Sequence, residues 1–160
     1  MPAERIGALK TAIENRDVLK IKSLLRYSAS PGNLNFENLL EICPAITAIA
    51  HDDDTLSALS YALWELALPR DIAEKPKVVD FLLHLMSETS KPCVHWYCAS
   101  ILGDYVALWP FWNSEQFSKI LELSQSSQEE ANRRLILEVC EKVTLVTKKV
   151  IEEKRFGGTL

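Results

Sequence analysis

Glycine is scarce in this chain, 5 residues in 160, so few tight turns and few phosphate-cradling loops are available to it. Cationic charge is in deficit too. Lys and Arg number 18 against 22 Asp and Glu, a formal net charge of -4. Binding to a phosphate backbone draws on a surplus of Lys and Arg, so nucleic acid is excluded as the expected ligand and a basic partner is favoured. Long apolar runs are missing. A membrane span needs roughly 20 apolar residues, and the best candidates are broken by Asp80 and His84, or by Glu65 and Pro69. Glu4 and Arg5 stand where a secretory signal would begin its apolar stretch, so a cytoplasmic location is expected. The four cysteines, Cys43, Cys93, Cys98 and Cys140, fall within apolar helical segments without the spacing of a disulfide framework. They read as reduced, buried thiols.

What is present is a full domain's worth of apolar residues, 48% of the chain beside 25% charged. A domain of this length buries roughly 70% of the surface its unfolded chain exposes. Strand signals are weak and the helical period is strong. Ile6, Leu9 and Ile13 share one face, and Val18, Ile21, Leu24 and Leu25 mark a second helix after a break at Asn15 to Asp17. Ser30-Pro31-Gly32-Asn33 is a loop. A third helix starts near Asn35 with Phe36, Leu39, Leu40 and Cys43, and Pro44 is expected to kink or split it. Asp54 is expected to cap a fourth helix carrying Leu56, Leu59, Leu63 and Leu66.

A fifth helix carries Val78, Val79, Leu82, Leu83 and Met86, with Asp80 and His84 paired on its polar stripe. Pro92 fits the first turn of a sixth, which runs to Tyr105. Trp109-Pro110-Phe111-Trp112 interrupts the pattern, and Asn113 caps a seventh. Ser127 with Glu130 fits a capping box for the last helix. That helix is expected to reach Arg155 before Gly157-Gly158 ends it, supported by a Glu138 to Lys142 pair. Residues 1–156 are expected to form one domain and 157–160 a flexible tail.

Eight helices in short pairs point to a repeat. At an offset of about 37 residues Ala62 falls on Ala99 and Ile136, and Leu66 on Gly103 and Cys140. Val78 to Tyr105 then reads as an apolar helix (Val78, Val79, Leu82, Leu83), a polar turn, and a second helix with Pro92, Val94, Ala99, Leu102 and Gly103. This stretch resembles one unit of a HEAT-type repeat, with small residues where the helices cross, and Leu121 to Val143 resembles it more loosely. The resemblance implies an all-α fold, a short right-handed α-α superhelix of about four helix pairs of the HEAT or armadillo kind.

Sites of chemistry are weaker. Cys93-x-His95-x-x-Cys98 invites a zinc reading, but at roughly 100° per residue the three side chains diverge, whereas tetrahedral zinc needs four converging ligands. His51-Asp52-Asp53-Asp54 lacks the glycine and distal Glu of a calcium loop and reads as helix-capping acids. No phosphate loop, nucleophile elbow or paired zinc histidines occur. The expected state is therefore non-catalytic, without metal or cofactor. His95, a lone imidazole on a mostly apolar helix, reads as a satisfied interior or boundary group.

The last helix displays Arg134, Glu138 and Glu141 at helical spacing. Stepping back by the repeat offset gives Tyr97, Ile101 and Asp104, then Ser60, Trp64 and Ala67, then Ser23, Tyr27 and Ser30. The expected partner-binding residues are Tyr27, Trp64, Tyr97, Asp104, Arg134, Glu138 and Glu141, an aromatic and acidic blend suited to a protein. Asp52, Asp53, Trp109 and Trp112 are secondary candidates. In size, charge and fold the chain is similar to bacterial toxin-immunity proteins with HEAT-like folds. That likeness implies a monomer that captures a basic toxin domain, such as a nuclease, with no membrane involvement. A scaffold or adaptor in a cytoplasmic complex is the alternative, and a helical-repeat lyase or DNA glycosylase a third reading, the latter disfavoured by the charge balance.

Overall fold

In a computed structural model of the chain, the residues described are 2–26, 34–66, 75–105, 112–127 and 129–157. They contain eight helices and no strand: α1 (Pro2–Glu14), α2 (Val18–Arg26), α3 (Phe36–Ile49), α4 (Asp53–Leu66), α5 (Lys75–Glu88), α6 (Pro92–Tyr105), α7 (Ser114–Ser126) and α8 (Glu130–Gly157). No described helix is long and apolar enough to cross a membrane. Each element follows from local chemistry. The Asn35 side chain accepts the Asn38 N–H at 2.8 Å to start α3, and Asn113 with Gln116 forms a reciprocal capping box at α7.

The break between α1 and α2 is a nested pair of backbone bonds. The N–H of Asp17 reaches the Ala12 carbonyl and that of Arg16 reaches Ile13. Arg16 sits there at φ 52, a position glycine usually fills. Asp17 then caps α2 by accepting the Lys20 N–H.

Consecutive helices pack as pairs, α1 on α2, α3 on α4, α5 on α6 and α7 on α8. The even-numbered helices also touch in order, α2 to α4, α4 to α6 and α6 to α8, while α1 meets α3 and α5 meets α7. One cluster of buried apolar side chains, with Leu9, Ile21, Leu39, Leu59, Leu82, Cys98, Ile120 and Ile136 among its members, draws on all eight helices. Gly103 lies where α6 approaches α8. A Cβ there would meet Val139 Cγ2 at 3.4 Å, so a small residue suits the contact.

Several local expectations are corrected. Pro44 does not split α3, which runs through it. The ring lies on the exposed side, where the carbonyl it leaves without a donor can be hydrated, while Phe36, Leu39, Ile42, Cys43 and Ile46 stay buried opposite. Asp52, not Asp54, caps α4, accepting the N–H and hydroxyl of Thr55 at 3.0 and 2.8 Å. Ser127 is no capping residue for α8. Its N–H closes α7 on the Leu123 carbonyl, and α8 begins beyond it with the Arg133 N–H bonded to the Glu129 carbonyl. His84 pairs with Glu88 at 3.3 Å and not with Asp80, which accepts from Gln116 of α7 at 2.8 Å. On α8 Arg134 pairs with Glu130, one turn away, at 2.9 Å, whereas the Lys142 ammonium leans over Gly103.

The repeat register also changes. Leu56, Leu59, Ala62 and Leu63 of α4 find their buried counterparts in His95, Cys98, Ile101 and Leu102 of α6, an offset of about 39 residues. The shorter offset had placed Ser60 and Ile101 on the exposed stripe. Both are interior, at 0% and 4% exposure.

Candidate protein-binding site

The side chains of α6 diverge sharply where they start. His95 points inward and is 3% exposed. Its Nε2 lies 2.8 Å from the carbonyl oxygens of both Met86 and Thr89, and Nδ1 lies 3.0 Å from the Ser127 hydroxyl. Carbonyls only accept, so Nε2 carries the hydrogen. The ring thereby binds the end of α5 to the end of α7 through α6. Thr89 extends this network, donating its hydroxyl to Asp53 and accepting the Lys91 N–H.

Cys93 leaves the same turn in another direction and lies 3.2 Å from the Ser57 hydroxyl of α4. Cys98 is buried, and burial pushes its thiol, like that of Cys43, well above the ordinary range. Among the described residues no three His, Cys, Asp or Glu side chains gather as metal ligands do.

The next two residues, Trp96 and Tyr97, turn outward and meet Tyr61 and Trp64 of α4. The four rings form a connected set. Tyr97 lies 5.4 Å from both Tyr61 and Trp64 between centroids, Trp64 lies 5.6 Å from Trp96, and Trp96 lies 5.3 Å from Tyr97. Most cross at steep angles, up to 83°, as the ring quadrupole prefers. This is no interior cluster: Trp64 is 36% and Trp96 42% exposed. The reason is helical spacing. Tyr61 and Trp64 are three residues apart on α4, so both face α6, and the packing of α4 on α6 brings Trp96 and Tyr97 against them.

Glu65 borders the set. Its Oε1 accepts the Tyr61 hydroxyl at 2.8 Å. This bond, with partial burial and the nearby charge, raises the Tyr61 pKa. Tyr97 is raised as well, by burial first and then by the charges of Cys93 and Glu65. Glu65 enters no ion pair among the described residues. Beside the rings an open groove of about 310 Å³ runs along Ser57, Tyr61, Cys93 and Tyr97, with Arg26, Asp54 and Lys91 at its rim.

Of the residues expected at a binding face, Trp64 and Tyr97 lie together in this aromatic set. Asp104 is exposed two turns further along α6, and Arg134, Glu138 and Glu141 are exposed on α8, the neighbour of α6. Tyr27 and Trp109 lie outside the described residues. Asp52 and Asp53 are engaged at the start of α4, the first as its cap and the second with Thr89. Trp112 is half-buried against the core, with its indole N–H enclosed and without an acceptor among the described residues.

The sequence reading missed Tyr61, Glu65 and Trp96. The spacing of Tyr61, Trp64 and Glu65, one turn apart, held the signal, and so did the exposed large side chain preceding Tyr97. Comparison with known proteins brings no match: no protein-family model, no curated protein and no solved structure resembles the chain.

Proposed function

We propose that this chain is a non-catalytic protein-binding domain that receives its partner on the outward face of α4 and α6. Its paired helices are read as a short right-handed superhelix of the HEAT or armadillo kind, whose second helices line one docking surface. The observation that carries the reading is the ring quartet Tyr61, Trp64, Trp96 and Tyr97, of which Tyr61, Trp64 and Trp96 are exposed and Tyr97 half-buried. Trp and Tyr supply a large contact area at little cost in side-chain entropy and dominate interface energetics. Solvent-facing indoles in mutual contact are costly to hydrate and gain by being covered.

The most specific form of the proposal is an immunity protein that neutralises a basic bacterial toxin domain in the cytoplasm. The net charge of -4 and the exposed acids Asp104, Glu138 and Glu141 support it, since complementary charge steers association. The reading as a non-enzyme rests on commitment: His95 is held by three partners, and burial raises the Cys43 and Cys98 pKa values, leaving little thiolate. A scaffold reading draws on a different feature, the far half of α8, where Leu145 and Ile151 are exposed.

The test is calorimetric titration with the toxin-like product of a gene adjacent to this chain's own, together with a toxicity assay. Binding with loss of toxicity is expected. Trp64→Ala with Trp96→Ala should weaken it by at least about 30-fold, and Glu138→Lys with Glu141→Lys should slow association. Undiminished affinity in the aromatic double variant would reject the face. Binding without neutralisation would reject the immunity role and leave the scaffold.

A further inference from the structure

We infer that the partner's anchor on this face is an arginine side chain, its guanidinium stacked on the indoles of Trp64 and Trp96 and paired with the carboxylate of Glu65. The inference rests on the docking reading above and names the chemistry that the site selects.

Three observations converge on a cation of that shape. The first is the aromatic surface. Trp is the strongest cation–π partner among the side chains, and both indoles are more than a third exposed in one contact set. The second is the carboxylate. Glu65 is held by the Tyr61 hydroxyl through Oε1, which orients the group at the edge of the rings. A carboxylate has about four lone-pair sites and one such bond leaves most of them open. The third is charge. Glu65 carries a negative charge on an exposed side chain and enters no ion pair among the described residues.

Arginine fits better than lysine for physical reasons. The guanidinium is planar, so it lies flat on an indole while its edge forms two parallel bonds to a carboxylate. It is also less strongly hydrated than an ammonium, so covering it against rings forfeits less solvation. A neutral apolar anchor would leave the Glu65 carboxylate unpaired beneath the partner, which is costly.

The probe is N-acetyl-arginine methylamide, titrated into the whole chain while indole N–H resonances are followed by NMR. Trp64→Phe and Trp96→Phe assign the two signals, and the enclosed Trp112 N–H serves as an internal reference. The expected result is saturable shifts at Trp64 and Trp96 with a dissociation constant of about 10 mM and none at Trp112. The citrulline derivative, close in shape but uncharged, should leave them unmoved, and the lysine derivative should bind several-fold more weakly. Glu65→Gln, an exposed and nearly isosteric change, should weaken the arginine probe by about fivefold.

Equal shifts from citrulline, equal affinity for lysine, or no loss in Glu65→Gln would each overturn the arginine assignment. Those failures are separable from failure of the docking face. If the probe does not discriminate while Trp64→Ala with Trp96→Ala still weakens the protein partner, the face stands with a different anchor.

Discussion

His95 and Trp96 are neighbours in the chain and occupy opposite environments. His95 is sealed inside with every ring nitrogen engaged, while Trp96, one residue on, stands on the surface against Trp64 and Tyr97. A helix turns about 100° per residue, enough to carry a side chain from a seam between three helices to solvent. The difference teaches where each kind of residue does its work. The polar side chain holds the helix ends of α5, α6 and α7 together, and the large apolar one is left available for a partner. This inverts the usual expectation that indoles go inside and imidazoles outside.

Substitution on the inward side should produce the largest effect. His95→Ala empties a packed site and strands the Met86 and Thr89 carbonyls and the Ser127 hydroxyl, at a cost of about 3–4 kcal/mol. Urea denaturation would read it as a fall in midpoint. A loss below about 1 kcal/mol would mean that the network is not a structural tie, and the contrast with Trp96 would collapse.

A smaller loss, about 1–2 kcal/mol, is expected for Asp53→Ala, which removes the acceptor of the half-buried Thr89 hydroxyl. Combining it with His95→Ala sharpens the picture. Because Thr89 contacts both residues, the two losses should not add, and a double-mutant cycle would measure the coupling.

Asp52→Ala should cost about 1 kcal/mol through the lost cap. Partial burial works to raise the Asp52 pKa, but the hydroxyl and N–H of Thr55, its own N–H and the charge of Lys22 outweigh it and hold the carboxyl below its usual range. The sign follows: a carboxyl lowered in the folded state stabilises the fold above its unfolded pKa, and that contribution fades as pH falls through the lowered value. Asp52→Asn should therefore flatten acid unfolding slightly, as a stability–pH profile would register.

The smallest effect belongs to the outward side. Trp96→Ala should shift stability by about 1 kcal/mol or less, the value of the ring contacts it gives up, while leaving the unfolding transition cooperative. A destabilisation matching that of His95→Ala would place the aromatic set in the core and end its candidacy as a docking face.

Much of the helical pattern was legible in the chain, because apolar spacing and capping chemistry are local. Asn35, Asn113 and the break at Asn15 to Asp17 read correctly for that reason. Errors arose where a residue with two possible partners had to choose. Ser127 looks like a cap for α8, yet its hydroxyl goes to His95, 32 residues away. Asp80 looks like the mate of His84, yet Gln116 of α7 claims it. Part of the candidate face was visible in Trp64 and Tyr97. Tyr61, Trp96 and Glu65 were not, and the stripe carried over from α8 fell on the buried Ser60 and Ile101, because how neighbouring helices are rotated against each other is set by their packing.

The chain by itself determined an all-helical molecule, the approximate limits of its helices and an acidic balance, since period, capping and charge are properties of a segment. Only the tertiary structure decided which face of α4 meets α6. Four rings on two helices become one surface through interhelical register, which is a matter of how side chains interlock across a seam. No single segment encodes it.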